Sequence, residues 1–479
     1  MRRHLAAPTG VGRLADPSGV GSAGSASCGD LVRIEIDVDR GILREARFQA
    51  YGCPATIAGA SELIGRIEGR PVLEAAALSE ASIARSLGLS ARKRACSNLA
   101  VDALHGALEA ATGRYPALVP EQERGIDERG VLVGMSGGVD SATAALRLRE
   151  AGYRVVGVTF RLWSDPTCAS GRGCCSPETI QSARRTAHAL GLPHLTVDLG
   201  ARFVEEVVDP FVREYAAGRT PNPCVRCNAG LRFAELAGVA DRLGLRWIST
   251  GHYARMAGVP PRLRRGLDQA KDQSYVLAQV HPRLLERARF PLGELTKAQT
   301  RALAREAGLD VHDSAESQEI CFIPDNDYRR FLRERLGERP GAIVDLEGAE
   351  IGRHKGTYNY TVGQRRGLGI AAPEPLYVRA TVPSERVVVV GSAEALQVAT
   401  VVANEVVVHR HPIPYEGSLQ LRSSGLVATA QVHFDESEGA ATFALAAPMS
   451  GVAAGQAAVL YDRDAVVLAG TICATGKTR

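Results

Sequence analysis

The spacing of hydrophobic and polar residues divides the chain into segments of different character. Residues 1–26 are rich in Gly, Ser, Ala and Arg and show no apolar periodicity, and we predict a disordered lead-in. Residues 27–115 begin with alternating strands at 31–38 and 42–50 and continue as Ala- and Leu-rich helical stretches, which predicts an α+β domain. Residues 116–129 are polar and aperiodic, as in a linker.

Strands and helices alternate through residues 130–338. Short apolar runs predict strands at 131–135, 154–160, 194–199 and 247–250. Helical periodicity predicts helices at 142–151, 177–191, 202–218 and 229–243. This alternation predicts a parallel sheet with right-handed crossovers, whose ligands bind beyond the carboxyl ends of the strands.

Helical patterns disappear in the last third of the chain. Short strands are predicted at 386–390, 401–409, 430–434 and 457–461. They indicate a small central domain over 339–395 and an antiparallel β-barrel over 396–479. The predicted fold class is α/β, with a parallel-sheet nucleotide domain, a central domain and a barrel, preceded by an α+β domain.

Composition narrows the class of protein. The chain has 479 residues, 45% hydrophobic and 23% charged, with a net charge of +4, so a nucleic-acid partner must be held by local basic patches. No apolar run of about 18 residues is present, so no membrane span is expected. Ten cysteines without an export signal indicate a reducing, cytoplasmic compartment, and their short spacing favours metal or redox chemistry.

A glycine-rich loop lies between a predicted buried strand and a helix. Its residues are Gly134, Met135, Ser136, Gly137, Gly138, Val139, Asp140 and Ser141. The glycines let the backbone approach an anion, and the helix N-terminus supplies N–H donors; the alternative is a tight turn capped by Ser. The loop lacks the lysine of a Walker motif and resembles the pyrophosphate loop of the N-type ATP pyrophosphatases (adenine nucleotide alpha hydrolase-like). That resemblance implies ATP and Mg²⁺ as cofactors, with Asp140 helping to hold the metal.

A Cys-x-x-Cys motif, Cys224 to Cys227, follows Asn222 and Pro223 and precedes a predicted helix. The helix N-terminus is expected to lower the pKa of Cys227 and favour its thiolate. Taken alone, the motif is also compatible with half of a structural zinc site.

Further strings occur in order at 251–255, 271–275, 317–323 and 358–368. Together with the loop and the Cys-x-x-Cys motif, they resemble the bacterial tRNA-specific 2-thiouridylases, the MnmA family, over residues 130–479. The resemblance implies ATP-dependent 2-thiolation of the wobble uridine in tRNA anticodons, by adenylation of the C2 oxygen of uracil followed by sulfur transfer. The implied partners are tRNA and a sulfur donor such as a cysteine desulfurase, with no DNA and no membrane.

The same resemblance assigns roles to individual residues. Cys227 is the implied nucleophile, and Cys321 the cysteine that carries or presents the sulfur. Phe160 and Gly251 are expected to line the nucleotide site beside the loop. The residues implied to meet the target base or tRNA are Asn222, Pro223, Cys224, His252, Lys271, Asp272, Gln273, Arg365, Arg366 and Gln456.

Cys224 departs from the family pattern, since many members carry Asp there. Cys224, Cys227 and Cys321 are able to ligate three irons of a [4Fe–4S] cluster and leave the fourth iron open to hydrosulfide. The alternative is a persulfide relay between Cys321 and Cys227, in which Cys224 takes no part. We favour the cluster.

The N-terminal segment carries a second constellation, made of Cys28, Asp30, Cys53 and Cys96. Three thiols and a carboxylate suit a soft metal or an iron–sulfur cluster, whereas free structural cysteines are the alternative. The surrounding strings are similar to IscU/NifU-type iron–sulfur scaffolds over residues 27–115, which implies that these four residues are ligands. Ala95 stands where such scaffolds usually carry His, so a role as donor or docking domain is kept open beside cluster assembly.

Two other functions and two residue groups stay open at this point. The first rival is another adenylating pyrophosphatase acting on a small molecule, and the second is a non-enzymatic iron–sulfur carrier. Three cysteines in one loop indicate either a metal site or a mobile cover over the nucleotide: Cys168, Cys174 and Cys175. Three arginines form either a solvated stretch or a phosphate contact: Arg262, Arg264 and Arg265.

Overall fold

The structure is a computed structural model that describes residues 1–26, 28–90, 93–112, 125–163, 177–313, 320–323, 325–423, 425 and 427–476. The predictions for Cys168, Cys174, Cys175 and residues 317–319 lie outside these ranges. Among the described residues, no helix combines the length and the apolar character that crossing a membrane requires.

The N-terminal domain packs helices on one face of a three-stranded antiparallel sheet of order β1-β2-β3. Its strands are β1 Gly19–Gly24, β2 Leu31–Asp39 and β3 Ile42–Tyr51. Its helices are α1 Arg2–Ala6, α2 Pro54–Ile67, α3 Val72–Ala76, α4 Glu80–Ser86 and α5 Arg94–Thr112. Alternate residues of β2, such as Ile34 and Ile36, are fully buried, as the period-2 pattern predicts.

The prediction of a disordered lead-in over residues 1–26 is wrong. Strand β1 pairs with β2 from Gly19 opposite Ile36 to Gly24 opposite Leu31. A Cβ atom at Gly21 would lie 2.0 Å from the carbonyl oxygen of Ala103 in α5, so only glycine allows this approach of strand and helix. The glycine-rich composition that suggests disorder is here a packing requirement.

The nucleotide domain contains a five-stranded parallel sheet of order β10-β7-β4-β5-β6. The five strands in chain order are β4 Asp127–Gly134, β5 Arg154–Arg161, β6 His194–Asp198, β7 Leu245–Ser249 and β10 Ala288–Arg289. Between β7 and β10 the chain forms an antiparallel hairpin of β8 Ala254–Ala257 and β9 Arg262–Arg265, which belongs to a different sheet. The order reverses direction at β4, since β5 and β6 follow on one side and β7 and β10 on the other. The carboxyl end of β4 is therefore the topological switch point, where ligands bind in such sheets.

Helices cover both faces of this sheet. The helices of this region are α6 Val139–Glu150, α7 Pro177–Ala189, α8 Gly200–Phe203, α9 Asp209–Ala216, α10 Pro223–Arg226, α11 Phe233–Arg242, α12 Ser274–Leu277, α13 Pro282–Glu286, α14 Lys297–Glu306 and α15 Tyr328–Leu336, of which α6, α7 and α11 pack on the sheet. Two segments have π-helical geometry, Val204–Val208 and Cys227–Arg232, and a 3₁₀ turn spans Asp310–Asp313.

The last third of the chain forms two β units. The central unit has strands β11 Gly341–Val344, β12 Glu350–His354, β13 Tyr377–Val382 and β14 Val387–Gly391, in the order β12-β11-β14-β13. The barrel has strands β15 Val398–Val408, β16 Glu416–Gln420, β17 Val427–Asp435, β18 Ala440–Met449, β19 Ala457–Asp462 and β20 Ala465–Gly476. Pairing of β15 with β20 closes these six strands into the predicted antiparallel barrel.

The hairpin β8–β9 joins the nucleotide domain to the barrel. Arg264 lies opposite Ala465 of β20, and its guanidinium donates to Asp464 at 2.6 Å. The guanidinium of Arg265 lies 3.7 Å from the ring centroid of Tyr461 in β19. Arg264 and Arg265 are therefore interdomain residues, and neither is merely a solvated charge.

Helix α5 of the N-terminal domain packs against β6, the edge strand of the parallel sheet. Glu109 forms an ion pair with Arg161 at 2.9 Å, and Asp102 forms another with Arg184. The rings of His105 and His188 meet at this contact, 5.4 Å apart between centroids. Covering an edge strand in this way shields its unpaired backbone groups, so the two domains dock as neighbours.

Candidate active site

The phosphate loop lies at the switch point, directly after β4. The backbone N–H of Ser136 donates to Ser141 Oγ at 3.1 Å, and that hydroxyl donates to the Gly138 carbonyl at 3.1 Å. Gly137 has a φ of +76°, and a Cβ there would lie 2.7 Å from the Thr179 carbonyl oxygen. The loop is therefore held in one shape before any ligand binds, with the N-terminus of α6 facing outward from Gly138.

Asp140 occupies the first turn of α6, and its carboxylate is already engaged. Lys297 Nζ lies 2.6 and 2.7 Å from the two carboxylate oxygens. The Tyr253 hydroxyl donates to Asp140 Oδ1 at 2.9 Å and lies 2.9 Å from Thr300 Oγ1. Asp140 and Lys297 are 157 residues apart in the sequence, and the fold brings them together.

The other two residues predicted for the nucleotide site lie beside this loop. A Cβ at Gly251 would lie 2.7 Å from the Ser141 backbone nitrogen, so glycine is needed for the segment after β7 to pack on α6. Phe160 stands near the carboxyl end of β5, beyond Val158, which pairs with Gly134. Their contact with ATP stays a prediction.

The helix that carries the Cys-x-x-Cys motif begins earlier than predicted. It starts at Pro223 and runs through α10, the π segment and α11 to Arg242, whereas the sequence pattern predicts a start near 229. Asn222 caps it, because Asn222 Oδ1 accepts from the backbone N–H groups of Cys224 and Val225 at 3.1 and 3.2 Å. Cys227 is thus the fifth helical residue, a full turn inside the helix, and the premise that it stands at the N-terminus is wrong.

The two thiols of the motif lie on the inner face of this helix. Cys227 is buried and opens the π segment, a geometry that often marks functional sites. Burial raises the pKa of the Cys224 thiol, and the neighbouring Cys227 raises it further. Cys224 therefore favours the neutral thiol in the absence of a ligand.

A cavity of about 730 Å³ lies on the other face of the helix. Its lining includes Asn222, Pro223, Arg226 and Gly230 of the helical segment and Gly455 of the barrel. Neither Cys224 nor Cys227 lines this cavity, because on the helical wheel both lie outside the arc that the lining residues occupy. Asn222 and Pro223, predicted to face the target base, line the interdomain space.

Cys321 comes from a separate segment, between α14 and α15. It is half-buried, and the next residue, Phe322, packs edge-on against Phe203 and Phe211 with centroids 5.7 and 5.3 Å away. Cys321 packs against the same apolar core that contains Cys227. The structure therefore anchors the backbone beside Cys321 in the domain of Cys227.

Several residues predicted to touch tRNA make internal contacts. Asp272 is buried at its side chain and accepts from the backbone N–H of Gly266 and Ser274 at 2.9 and 3.0 Å. Gln273 Oε1 accepts from the Tyr253 backbone N–H at 2.9 Å. These bonds fix the segment around Tyr253, and direct contact of Asp272 and Gln273 with tRNA stays a prediction.

Two more residues predicted to touch tRNA, His252 and Gln456, also make internal contacts. Burial lowers the pKa of His252 to about 3, and its Nδ1 lies 2.7 Å from Thr250 Oγ1, so the ring is neutral. Gln456 Nε2 donates to the Thr220 carbonyl at 2.7 Å and connects the barrel to the nucleotide domain.

Arg365 and Arg366, in contrast, are exposed beside the central unit, as a phosphate-binding role requires. Lys271, which lies half-buried after β9, adds a cation whose role stays a prediction.

The N-terminal domain gathers three of its four predicted ligands. Ligand atoms of Asp30, Cys53 and Cys96 all lie within 4.8 Å of one another, and this is the one such group that the described residues contain. Cys53 Sγ and Cys96 Sγ are 3.5 Å apart. Cys28 is exposed and lies outside the group, so the predicted four-residue set is only partly assembled.

Thr56 organises this site, although the sequence pattern did not single it out. Its hydroxyl donates to Asp30 Oδ2 at 2.5 Å and lies 3.4 Å from Cys53 Sγ. Burial opposes ionisation of Cys53, but hydrogen bonds from the Thr56 side chain and backbone lower the pKa of Cys53. Burial and the neighbouring Cys53 raise the pKa of Cys96. Of the two thiols, Cys53 is therefore the one that loses its proton first, and it lies next to Asp30.

Comparison with known proteins identifies the family. A model of the NifU-like N terminal domain matches residues 1–117, and one of the tRNA methyl transferase HUP domain matches residues 129–325. The chain is 48% identical over 475 residues to the bifunctional protein NifU/MnmA of Rubrobacter xylanophilus, which covers 98% of this chain and 96% of that protein. The chain belongs to the NifU/MnmA family.

Relatives named tRNA-specific 2-thiouridylase MnmA match a smaller part of the chain. The tRNA-specific 2-thiouridylase MnmA of Frankia casuarinae is 46% identical over 357 residues, 72% of this chain and 99% of that protein. The protein of the same name from Thermobifida fusca is 46% identical over 353 residues, 72% and 96% of the two chains. Models described as the tRNA methyl transferase PRC-barrel domain and the aminomethyltransferase beta-barrel domain match residues 329–392 and 400–472.

Lys297, Tyr253 and Thr56 are site residues that the sequence patterns did not reveal. Lys297 follows Thr296, and the spacing of Thr296 and Gln299 signals only a helix start, which the capping box of α14 confirms. Nothing local in the sequence shows that this helix start faces Asp140, since the two meet through the tertiary fold.

Proposed function

We propose that the chain is an ATP-dependent tRNA sulfurtransferase that converts the wobble uridine of tRNA anticodons to 2-thiouridine. The observation that carries the proposal is the placement of a preformed anion loop and a buried cysteine helix in one parallel-sheet domain that matches the MnmA relatives. Adenylation needs the first feature and sulfur transfer needs the second.

The first step would take place at the phosphate loop. The C2 oxygen of uracil attacks the α-phosphorus of ATP, and pyrophosphate leaves from the loop, where backbone N–H groups and the α6 N-terminus stabilise its charge. The oxygen ligands offered by Asp140 and the Ser136 and Ser141 hydroxyls suit a hard cation. Mg²⁺ bound there would neutralise the leaving pyrophosphate.

The second step replaces the activated oxygen. Sulfur at the thiolate level attacks C2, the C2–O bond breaks, and AMP departs with the original oxygen. If Cys321 brings the sulfur as a persulfide, Cys227 then attacks the Cys321 sulfur, releases the thiolated base and leaves a disulfide that a thiol reductant reopens.

A [4Fe–4S] cluster is the other source of sulfur that we propose to test. The thiols of Cys224, Cys227 and Cys321 are the donor type that such a cluster takes. When bound, it would supply an open iron for hydrosulfide. The raised pKa of Cys224 means that ligation of this thiol must release a proton.

The N-terminal group gives the chain a proposed second task, which is to hold iron or a cluster at Asp30, Cys53 and Cys96. Two thiols beside a carboxyl group, with the pKa of one thiol, Cys53, lowered, suit a soft cation. Ala95 supplies no ligand, so the set consists of one carboxyl group and two thiols, those of Cys53 and Cys96. This task is distinct from adenylation, because the group lies in the other domain.

The test is a reaction of the full chain with unmodified tRNA, ATP and a sulfide or persulfide source. We expect 2-thiouridine and AMP in equal amounts, only when tRNA is present. A pyrophosphatase acting on a small molecule would release AMP without tRNA, and a non-enzymatic carrier would release none. Each rival thus predicts a different result in the same reaction.

A further inference from the structure

Lys297 occupies a defined place at the mouth of the phosphate loop. It is the first residue of α14, and its backbone N–H donates to Asp268 Oδ2 at 3.0 Å. Its side chain is 16% exposed and ends with Nζ between the two oxygens of Asp140, whose side chain is 30% exposed. The ammonium group is thus held within the loop region and still reaches solvent.

The elements around this lysine are fixed by buried hydrogen bonds. Thr296 and Gln299 form a reciprocal capping box at the start of α14. Thr300 is fully buried and its Oγ1 lies 2.9 Å from the Tyr253 hydroxyl, while Thr143 Oγ1 of α6 lies 3.4 Å from the Thr300 carbonyl oxygen. Helices α14 and α6 are therefore locked together where Lys297 meets Asp140.

Charge balance at the loop explains what this cation does. A carboxylate in the first turn of α6 competes with phosphate for the helix N-terminus and repels it electrostatically. The ammonium of Lys297 cancels that charge. The loop itself lacks the lysine with which Walker loops reach the outer phosphates, and Lys297 supplies a cation at the equivalent end of the loop from a remote helix.

We propose that Lys297 is a pyrophosphate-binding residue: it pairs with Asp140 while the loop is empty and moves to the β- and γ-phosphates when ATP binds and a divalent cation takes its place on Asp140. The inference rests on the proposed function, because it concerns the same nucleotide site. The flexible lysine side chain makes this exchange by rotation alone, with no movement of α14.

Equilibrium binding to the full chain tests this role without relying on turnover. We would measure the dissociation constants of ATP, inorganic pyrophosphate and AMP by titration calorimetry, with and without Mg²⁺, for wild type, Lys297→Met and Lys297→Arg. Lys297→Met should weaken ATP and pyrophosphate by about 10- to 100-fold and AMP by less than about twofold, since AMP lacks the outer phosphates. Lys297→Arg should restore part of the loss.

Lys355→Met is the matched control, because Lys355 is an exposed lysine paired with Glu338 outside the nucleotide domain. It should leave all three affinities unchanged. Equal weakening of ATP, pyrophosphate and AMP by Lys297→Met, or no weakening of any, would overturn the inference and leave Lys297 as a clamp between helices. If wild type binds neither ATP nor pyrophosphate, both the proposed function and this inference fail. If wild type binds both ligands and Lys297→Met does not weaken them selectively, only the inference fails.

Discussion

In both thiol-bearing regions a cysteine stands beside a proline at a helix start, yet the pKa of the thiol shifts in opposite directions. Cys53 is the N-cap of α2 and precedes Pro54; burial opposes its ionisation, but hydrogen bonding with Thr56 lowers the pKa of Cys53. Cys224 follows Pro223, and the side chain of Asn222 takes the free N–H groups instead. Burial then dominates, and the pKa of Cys224 rises.

The pKa of a thiol at a helix start therefore depends on whether the cysteine is itself the N-cap or follows an N-cap that takes the free N–H groups. In the N-terminal domain the fold alone brings the ligand atoms of two thiols and a carboxyl group within 4.8 Å of one another. In the nucleotide domain the thiols come from two segments, packed in an apolar core. The first site is suited to hold metal, whereas burial in the second site raises the pKa of the Cys224 thiol.

The largest effect should come from removing the thiols one region at a time. Cys227→Ser should lower 2-thiouridine formation by at least about 100-fold, because the nucleophile is lost. Cys53→Ser should reduce the iron bound by the chain but leave tRNA-dependent AMP release intact. Mass spectrometry of digested tRNA and iron analysis on the same preparations check both. Loss of AMP release in Cys53→Ser would show that the regions do not work separately.

Cys224→Asp is expected to have the next largest effect, and it distinguishes sulfur supply by a cluster from sulfur supply by a persulfide relay. The helix tolerates the change, since a carboxylate in the first turn suits the helix dipole. If a cluster operates, iron content of the nucleotide domain and thiolation should both fall severalfold, because a carboxylate is a harder ligand than a thiolate. Thiolation is measured per tRNA, with iron quantified alongside. Full activity from an iron-free variant would remove the cluster and leave the persulfide relay.

A pH-dependent alkylation experiment tests the order in which the thiols lose their protons. The pKa of Cys53 is lowered and those of Cys96 and Cys224 are raised, so as pH rises Cys53 becomes thiolate first. In the metal-free chain, iodoacetamide should therefore label Cys53 at lower pH than Cys96, which is similarly half-buried. Peptide mass spectrometry reads each site. Earlier labelling of Cys96 would contradict the assignment of the thiolate.

The smallest expected effect is electrostatic. Arg365→Ala should weaken tRNA binding a few-fold and reduce the slope of log affinity against log salt by about one phosphate contact. Arg353→Ala is the control, because Arg353 is exposed but pairs with Glu350 at 3.5 Å. Filter binding across a salt series checks both. An unchanged slope for Arg365→Ala would make this stretch structural.

Periodicity is sufficient to predict the parallel sheet and the barrel, and the glycine-rich motif predicts the loop at Gly134–Ser141, because each depends on local patterns. It failed at β1, where glycine spacing serves the close approach of α5 and resembles disorder. It also misplaced the start of the cysteine helix, since Pro223 at the first turn reads equally as a breaker. Lys297 and Thr56 were missed because their roles depend on partners distant in sequence or on hydrogen bonds that no pattern records.

The most direct test of the proposed function is a single-turnover reaction of the full chain with substrate tRNA and α-labelled ATP. We expect AMP and 2-thiouridine to form in a one-to-one ratio, and tRNA lacking the wobble uridine to yield neither. Thiolation without ATP, or AMP release that is independent of the wobble uridine, would contradict it.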